Sequence, residues 1–222
     1  MKPTVPAVFR TMVPASLLVP VLLIMLTAGA HARIQADPQS VSDPPSTRRS
    51  TGAERYLELG PWAVTGLAGV YDDTPFLHIL ALQGGDLESS YIGGLILART
   101  IGVWRRDWVW EAEVQAYRHR GLQNNNELNA ALALHWTRFP WDEALDTTVS
   151  FGQGISLASE RPPIEGDTRA LLHYMHAEIA FHPGGLRGFS LVTRLHHRSG
   201  AFGLYGTSGG SNFLTAGMRY RF

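Results

Sequence analysis

Several residue types are absent or scarce in this sequence, and each absence excludes a kind of chemistry. The 222 residues include no cysteine, so the chain forms no disulfide, no thiolate metal site and no thiol nucleophile. The only lysine is Lys2, which excludes a serine–lysine dyad from the rest of the chain. Basic and acidic residues number 19 each. This net charge of zero predicts no nucleic-acid partner.

Motifs for cofactors and metals are missing as well. The glycine-rich stretch SGGSN, at residues 208–212, precedes no helical pattern, so it is not a phosphate-binding loop. The nine histidines show no metal-ligand spacing. His173 and His176 are three apart in a predicted strand, where they would face opposite sides. The sequence therefore predicts neither a cofactor nor a metal.

The first 56 residues divide into two segments. Residues 1–32 have the pattern of a secretory signal: a basic start at Lys2, an apolar core at 12–26 and the motif AHA at 30–32. The core is short for a spanning helix, which needs about 20 apolar residues, so we predict a cleaved signal peptide rather than an anchor. Residues 33–56 are polar and rich in Pro, Ser and Asp, which predicts a disordered linker.

Hydrophobic alternation with period two runs through residues 57–222 and predicts β-strands. In residues 107–121, for example, Trp108 and Trp110 alternate with Glu111 and Glu113. No apolar run here approaches the length of a spanning helix, about 20 residues. The pattern predicts eight strands, at residues 61–71, 90–104, 107–121, 128–139, 145–158, 170–182, 189–199 and 212–222.

The charge on one face of these strands distinguishes two kinds of barrel. One face is apolar, and the other carries residues such as Glu178, Arg194 and Arg219. A membrane barrel turns its apolar face to lipid, whereas a soluble lipocalin-like barrel, the alternative, turns it inward. Long connections alternate with short ones, and the last strand ends on Tyr220 and Phe222. We therefore predict an all-β fold, an eight-stranded antiparallel transmembrane β-barrel at residues 57–222, in the outer membrane.

His197 and Ser199 occupy the extracellular end of the predicted seventh strand. Alternation places both on the apolar face with Leu195, which is an unusual position for a histidine. Two residues apart on a strand, their Cα atoms are roughly 7 Å apart, so a hydrogen bond between the side chains is within reach. His197 could then act as general base for Ser199 toward the ester of a membrane lipid. Alternatively, these polar residues mark the headgroup region without catalysis.

The segment from Trp62 to Phe222 resembles the PagL family of outer-membrane lipid A 3-O-deacylases. The matching residues are HHRSG at 196–200, followed by a glycine-rich loop and a final strand. The resemblance implies an eight-stranded barrel that hydrolyses an ester-linked acyl chain of lipid A, the anchor of lipopolysaccharide. It implies His197 as base and Ser199 as nucleophile. The backbone N–H groups of Gly200 and Ala201 could form the oxyanion hole.

The acidic member of such a triad is not evident, because no Asp or Glu follows Glu178. Three possibilities are open. Ser211 or Asn212 orients the imidazole, as asparagine does in Cys-His-Asn sites. An acid of the loop at 159–169 reaches the site, the candidates being Glu160, Glu165 and Asp167. Or the site is degenerate, and the protein is a non-catalytic barrel with an envelope-structural or surface-interaction role. The sequence carries no signal for the oligomeric state.

Overall fold

The structure is a computed structural model that describes residues 51–83 and 85–222. The predicted signal peptide and residues 33–50 of the predicted linker lie outside the described residues. Eight antiparallel strands close into one barrel in chain order, with β1 paired to β8, which confirms the predicted fold class. The strands are β1 (Trp62–Asp72), β2 (Leu87–Trp104), β3 (Trp108–Arg120), β4 (Asn126–Trp136), β5 (Asp146–Ala158), β6 (Leu171–His182), β7 (Phe189–Ser199) and β8 (Gly210–Arg221).

Within residues 51–83 and 85–222, helical structure is confined to short segments outside the strands. The helices there are α1 (Gly52–Leu57) and α2 (Phe76–Leu80), and a 3-10 turn spans Pro163–Glu165. Neither helix in the described part of the chain is long and apolar enough to cross a membrane.

Charged side chains fill the inside of the barrel. Arg194, fully buried, donates two hydrogen bonds of 2.9 Å to Glu113 and one of 2.8 Å to Glu178. Arg219 Nη2 lies 2.8 Å from Glu178 Oε1 and donates a 2.9 Å hydrogen bond to Glu178 Oε2. Because a buried charge is costly unless it is paired, each guanidinium is matched with a carboxylate. The lumen is thus a packed ionic core, as expected for a barrel of only eight strands.

The outer surface of the barrel is apolar. Large hydrophobic side chains are exposed on the strands, among them Leu95, Leu97, Leu132, Phe151, Ile155, Leu191 and Met218. Aromatic rings meet at one end of the barrel, where Trp108 lies 4.8 Å from Trp136 and Phe189 lies 4.8 Å from Tyr220. An apolar exterior with an aromatic girdle and a charged lumen is the arrangement of an outer-membrane barrel. The protein is located in the outer membrane, and the soluble lipocalin-like alternative is wrong.

The connections at the two ends of the barrel differ in length. One end has loop 1 (73–86), loop 2 (121–125), loop 3 (159–170) and loop 4 (200–209). The other end has turns at 105–107, 137–145 and 183–188 and carries the aromatic girdle. Since outer-membrane barrels have their longer loops outside the cell, loops 1–4 are extracellular and α1 lies at the periplasmic end.

Helix α1 covers the periplasmic end of the lumen. Thr51 caps its N-terminus through a capping box. Tyr56 on this helix is buried, with the Arg221 guanidinium 4.0 Å from its ring and its hydroxyl 3.3 Å from His135 Nδ1. Burial raises the pKa of Tyr56, so the phenol stays neutral beside these charges. Residues 52–56 at the end of the predicted linker belong to α1.

Candidate active site

His197 and Ser199 lie on the outer face of β7, near its extracellular end. Their neighbours His196 and Arg198 are fully buried in the lumen, whereas His197 and Ser199 themselves are half-buried. Strand pairing places His197 opposite Asn212 on β8 and Ser199 opposite His173 on β6. The region is thus a small polar patch within an apolar outer surface.

The imidazole of His197 is held by Asn212. His197 Nδ1 lies 2.6 Å from Asn212 Oδ1, and Asn212 Nδ2 donates a 2.8 Å hydrogen bond to the Thr74 carbonyl in loop 1. That second bond fixes the amide orientation, because only the NH₂ group can donate to a carbonyl. Nδ1 therefore carries the proton, and Nε2 keeps a free lone pair that can accept one.

Loop 1 covers this imidazole. Phe76 is the first residue of α2. The centroid of its ring lies 4.7 Å from the centroid of the His197 ring, at an interplanar angle of 41°. This contact was not predicted, because the segment between the predicted strands at 61–71 and 90–104 was given no regular structure. The signal that could have indicated the helical turn is Pro75, which precedes the short apolar run FLHIL.

The Ser199 hydroxyl does not contact His197. Among the described residues no hydrogen bond joins the two side chains, although the sequence predicted that one was within reach. The reason is that the imidazole is turned along the sheet toward Asn212 and is packed under Phe76. Rotation of the side chains is needed to bring the hydroxyl to the imidazole, and such bonds often tighten only when substrate binds.

Ser211 faces the lumen and cannot orient His197. Its hydroxyl donates a 2.8 Å hydrogen bond to Glu165 Oε1, which also accepts a 3.0 Å bond from Arg198. Glu165 is thus bound inside the mouth of the barrel and does not serve as the acid. Glu160 and Asp167 are exposed on loop 3. Within residues 51–83 and 85–222, no carboxylate is hydrogen-bonded to His197.

The two predicted oxyanion donors differ in availability. The Gly200 N–H donates a 3.0 Å hydrogen bond to the Gly209 carbonyl, so it is already engaged. Ala201 and Phe202 both adopt left-handed backbone conformations, with φ of 47° and 56°, which non-glycine residues adopt at a cost. The Ala201 N–H has no acceptor in the described part of the chain. Of the two predicted donors, the Ala201 N–H is the one that is available to bind an oxyanion.

A second cluster of polar groups lies inside the barrel. Glu111, Glu113 and His135 bring potential ligand atoms within 4.8 Å of one another. However, Glu113 is held by Arg194 and Glu111 by Arg221. A divalent ion there would meet two guanidinium groups, so the cluster fits an ion-pair network better than a metal centre.

Comparison with known proteins shows similarity in fold alone. The chain matches no protein-family model and no curated protein. Among solved structures, the outer membrane enzyme PagL aligns with this chain at 12% sequence identity and a TM-score of 0.53. The alignment covers 72% of this chain and 99% of the PagL chain. Neisserial surface protein A matches with 9% identity and a TM-score of 0.46. AlkL matches with 12% identity and a TM-score of 0.36.

Proposed function

We propose that this outer-membrane barrel hydrolyses an ester-linked acyl chain of lipid A in the outer leaflet. The observation that carries the proposal is the hydrogen bond between His197 and Asn212 on the lipid-facing surface, with Ser199 on the same face. On an otherwise apolar surface, a histidine with a fixed tautomer and an unprotonated Nε2 is best explained by a role in proton transfer.

The reaction is an acyl transfer in two steps. Ser199 Oγ attacks the ester carbonyl while His197 Nε2 takes its proton, and the Ala201 N–H donates to the developing oxyanion. His197 then gives the proton to the ester oxygen of the sugar, which departs as a hydroxyl and leaves the acyl group on Ser199. Water, deprotonated by the same imidazole, attacks the acyl-serine, and the imidazole returns that proton to Ser199 Oγ as the fatty acid leaves. Asn212 keeps the imidazole in the required tautomer throughout.

Charge at the rim supports lipid A as the substrate. Exposed guanidinium groups stand at the extracellular ends of the strands and on loop 3, namely Arg118, Arg120, Arg161 and Arg169. Guanidinium groups form strong charge-assisted hydrogen bonds with phosphates. A phosphorylated glycolipid at this rim would have its acyl chains beside the apolar strand surface and its headgroup beside these cations.

The second candidate function is a non-catalytic barrel with an envelope-structural or surface-interaction role. It is favoured by two observations: among the described residues Ser199 Oγ has no hydrogen bond to His197, and no carboxylate is hydrogen-bonded to the imidazole. Without a carboxylate beside it, the imidazolium that forms during the reaction is not stabilised by a negative charge, so the proposed enzyme is a slow one.

Mass spectrometry of lipid A distinguishes the two functions. Lipid A is extracted from cells that express wild type, Ser199→Ala or Thr193→Ala at equal levels in the outer membrane. Thr193 is the matched control, because it is exposed on the same face of β7 and touches none of the proposed groups. We expect loss of one acyl chain with wild type and Thr193→Ala but not with Ser199→Ala. Identical lipid A in all three strains would contradict the proposed hydrolysis and support the non-catalytic role.

A further inference from the structure

Loops 1 and 4 expose large apolar side chains. Leu77 on α2 is 73% exposed and Leu82 is 94% exposed. Phe202 and Leu204 on loop 4 are fully or almost fully exposed. Clusters of exposed leucine and phenylalanine side chains are unfavourable in water and usually mark an interaction surface.

These two loops border the same side of the barrel. Loop 1 joins β1 to β2, loop 4 joins β7 to β8, and β8 pairs with β1. Loop 1 is also bound to the outer face of β7 and β8 through Phe76 on His197 and the Thr74 carbonyl on Asn212. The apolar loop surface is therefore continuous with the apolar surface of the strands below it.

Loop 3 has a different surface, which shows that exposed apolar residues are not a general feature of the extracellular end. The exposed residues of loop 3 include Glu160, Arg161, Asp167 and Arg169. Among the described residues of that loop, no large hydrophobic side chain is exposed. Loop 2 exposes one large hydrophobic side chain, Leu122 at 48%, so among the described loop residues the most strongly exposed leucine and phenylalanine side chains lie on loops 1 and 4.

We propose that α2 and loop 4 bind the acyl chains of outer-leaflet lipid and that α2 covers the His197–Asn212 pair. Leu77 and Phe202 extend the lipid-facing surface of the strands upward, so this side of the rim sits deeper in the leaflet than loop 3. In this position α2 contacts hydrocarbon on one side and the imidazole on the other. Lipid reaches His197 by displacing Phe76. The inference concerns lipid contact and access, and it holds whether or not the protein hydrolyses an ester.

The absence of native cysteine permits a direct test of the lipid contact. Leu77→Cys, Phe202→Cys and the control Glu160→Cys are each spin-labelled in the full barrel, reconstituted in phosphatidylcholine vesicles that contain lipid A. Paramagnetic resonance then measures collisions of the label with oxygen, which partitions into lipid, and with a water-soluble nickel chelate. We expect high oxygen and low nickel accessibility at 77 and 202, and the reverse at 160. Nickel accessibility at 77 and 202 equal to that at 160 would overturn the proposal.

A second measurement tests the cover over His197. In the reconstituted barrel, Phe76→Ala should increase the rate at which diethylpyrocarbonate modifies His197, read by peptide mass spectrometry. The expected increase is roughly threefold to tenfold, the range that loss of one aromatic contact implies. His78, which is exposed on the same helix, is the internal control. An unchanged rate at His197, in protein that still migrates as a folded barrel on gels, contradicts the cover.

Discussion

Asn212 is the residue on which the candidate site depends. Its side chain joins two elements, because it accepts from His197 Nδ1 and donates to the Thr74 carbonyl. In serine hydrolases a carboxylate holds the position next to the imidazole. An amide holds the imidazole in the same tautomer but does not stabilise the imidazolium that forms as the proton moves. Asn212 thus supplies orientation without charge.

Replacing this amide tests its role. We expect Asn212→Asp to raise the rate of lipid A hydrolysis by about tenfold or more, since a carboxylate stabilises the imidazolium of the transition state. Asn212→Leu should lower the rate by a similar factor, because the imidazole loses its partner. The measurement is release of fatty acid from lipid A by the purified protein in mixed micelles. Equal rates for wild type and both variants would show that Asn212 does not act on His197 during the reaction.

Alternation in the sequence predicted which way His197 and Ser199 point, because the side-chain period of a strand is two. It left open the choice between Ser211 and Asn212, which occupy opposite faces of β8. The contacts of Phe76 and Thr74 could not be predicted, since they depend on how loop 1 folds back over the barrel. The inward position of Glu165 likewise depends on the 3-10 turn of loop 3 rather than on a periodic pattern.

At the scale of the strands, the lumen is stabilised by ion pairs that connect distant elements. Arg194 on β7 bonds Glu113 on β3 and Glu178 on β6, so one guanidinium links strands on different sides of the barrel. Such ion pairs connect opposite parts of the barrel wall through the lumen. Removing one partner leaves a buried charge without compensation, which costs more than the pair itself contributes.

The variant Arg194→Met measures that cost. Because Glu113 loses two hydrogen bonds and Glu178 loses one, we expect the free energy of unfolding to fall by about 3–5 kcal/mol. The measurement is urea unfolding of the barrel in lipid vesicles. Arg120→Met is the matched control, since Arg120 is exposed at the rim and its removal should change stability by only about 0.5 kcal/mol. Similar losses for the two variants would contradict this role for Arg194.

The pairing of β1 with β8 closes the barrel, and two of its glycines have different surroundings. A Cβ atom added at Gly217 would collide with the backbone carbonyl of Gly66, whereas one added at Gly66 would meet nothing nearer than Leu95 Cδ2 at 3.7 Å. We expect Gly217→Ala to cost about 1–3 kcal/mol, the usual range for overpacking, and Gly66→Ala to cost little. The readout is the temperature at which each variant loses the compact migration of the folded barrel on gels. A lower transition temperature for Gly66→Ala than for Gly217→Ala would contradict this prediction.

Strand boundaries show how far local sequence determines these elements. β7 begins and ends where the sequence predicted, at Phe189 and Ser199. β2 begins three residues earlier than predicted, because Leu87 and Glu88 pair with the end of β1 beyond an irregularity in the register. Such an extension depends on the partner strand, and a single segment of sequence does not contain that information.

At the scale of the whole molecule, the barrel has two chemically different ends. The periplasmic end is bordered by aromatic rings and covered by α1, whose Tyr56 closes the ionic lumen. The extracellular end carries four loops, of which loops 1 and 4 are apolar and loop 3 is charged. The composition and alternation of the sequence predicted the barrel and its orientation, but the apolar and charged sides of the rim emerge only when the strands close.

This orientation fixes which residues a reagent outside the cell can reach. In the cysteine-free chain, Glu160→Cys on loop 3 and Arg187→Cys in the turn between β6 and β7 place single thiols at exposed positions on opposite ends. A membrane-impermeant maleimide added to intact cells should label position 160 and not position 187, because long loops of outer-membrane barrels face outward. After the outer membrane is permeabilised, both positions should react. Labelling of 187 but not 160 in intact cells would reverse the orientation, and it would move His197 and Asn212 to the inner leaflet, where lipid A is not the lipid they meet.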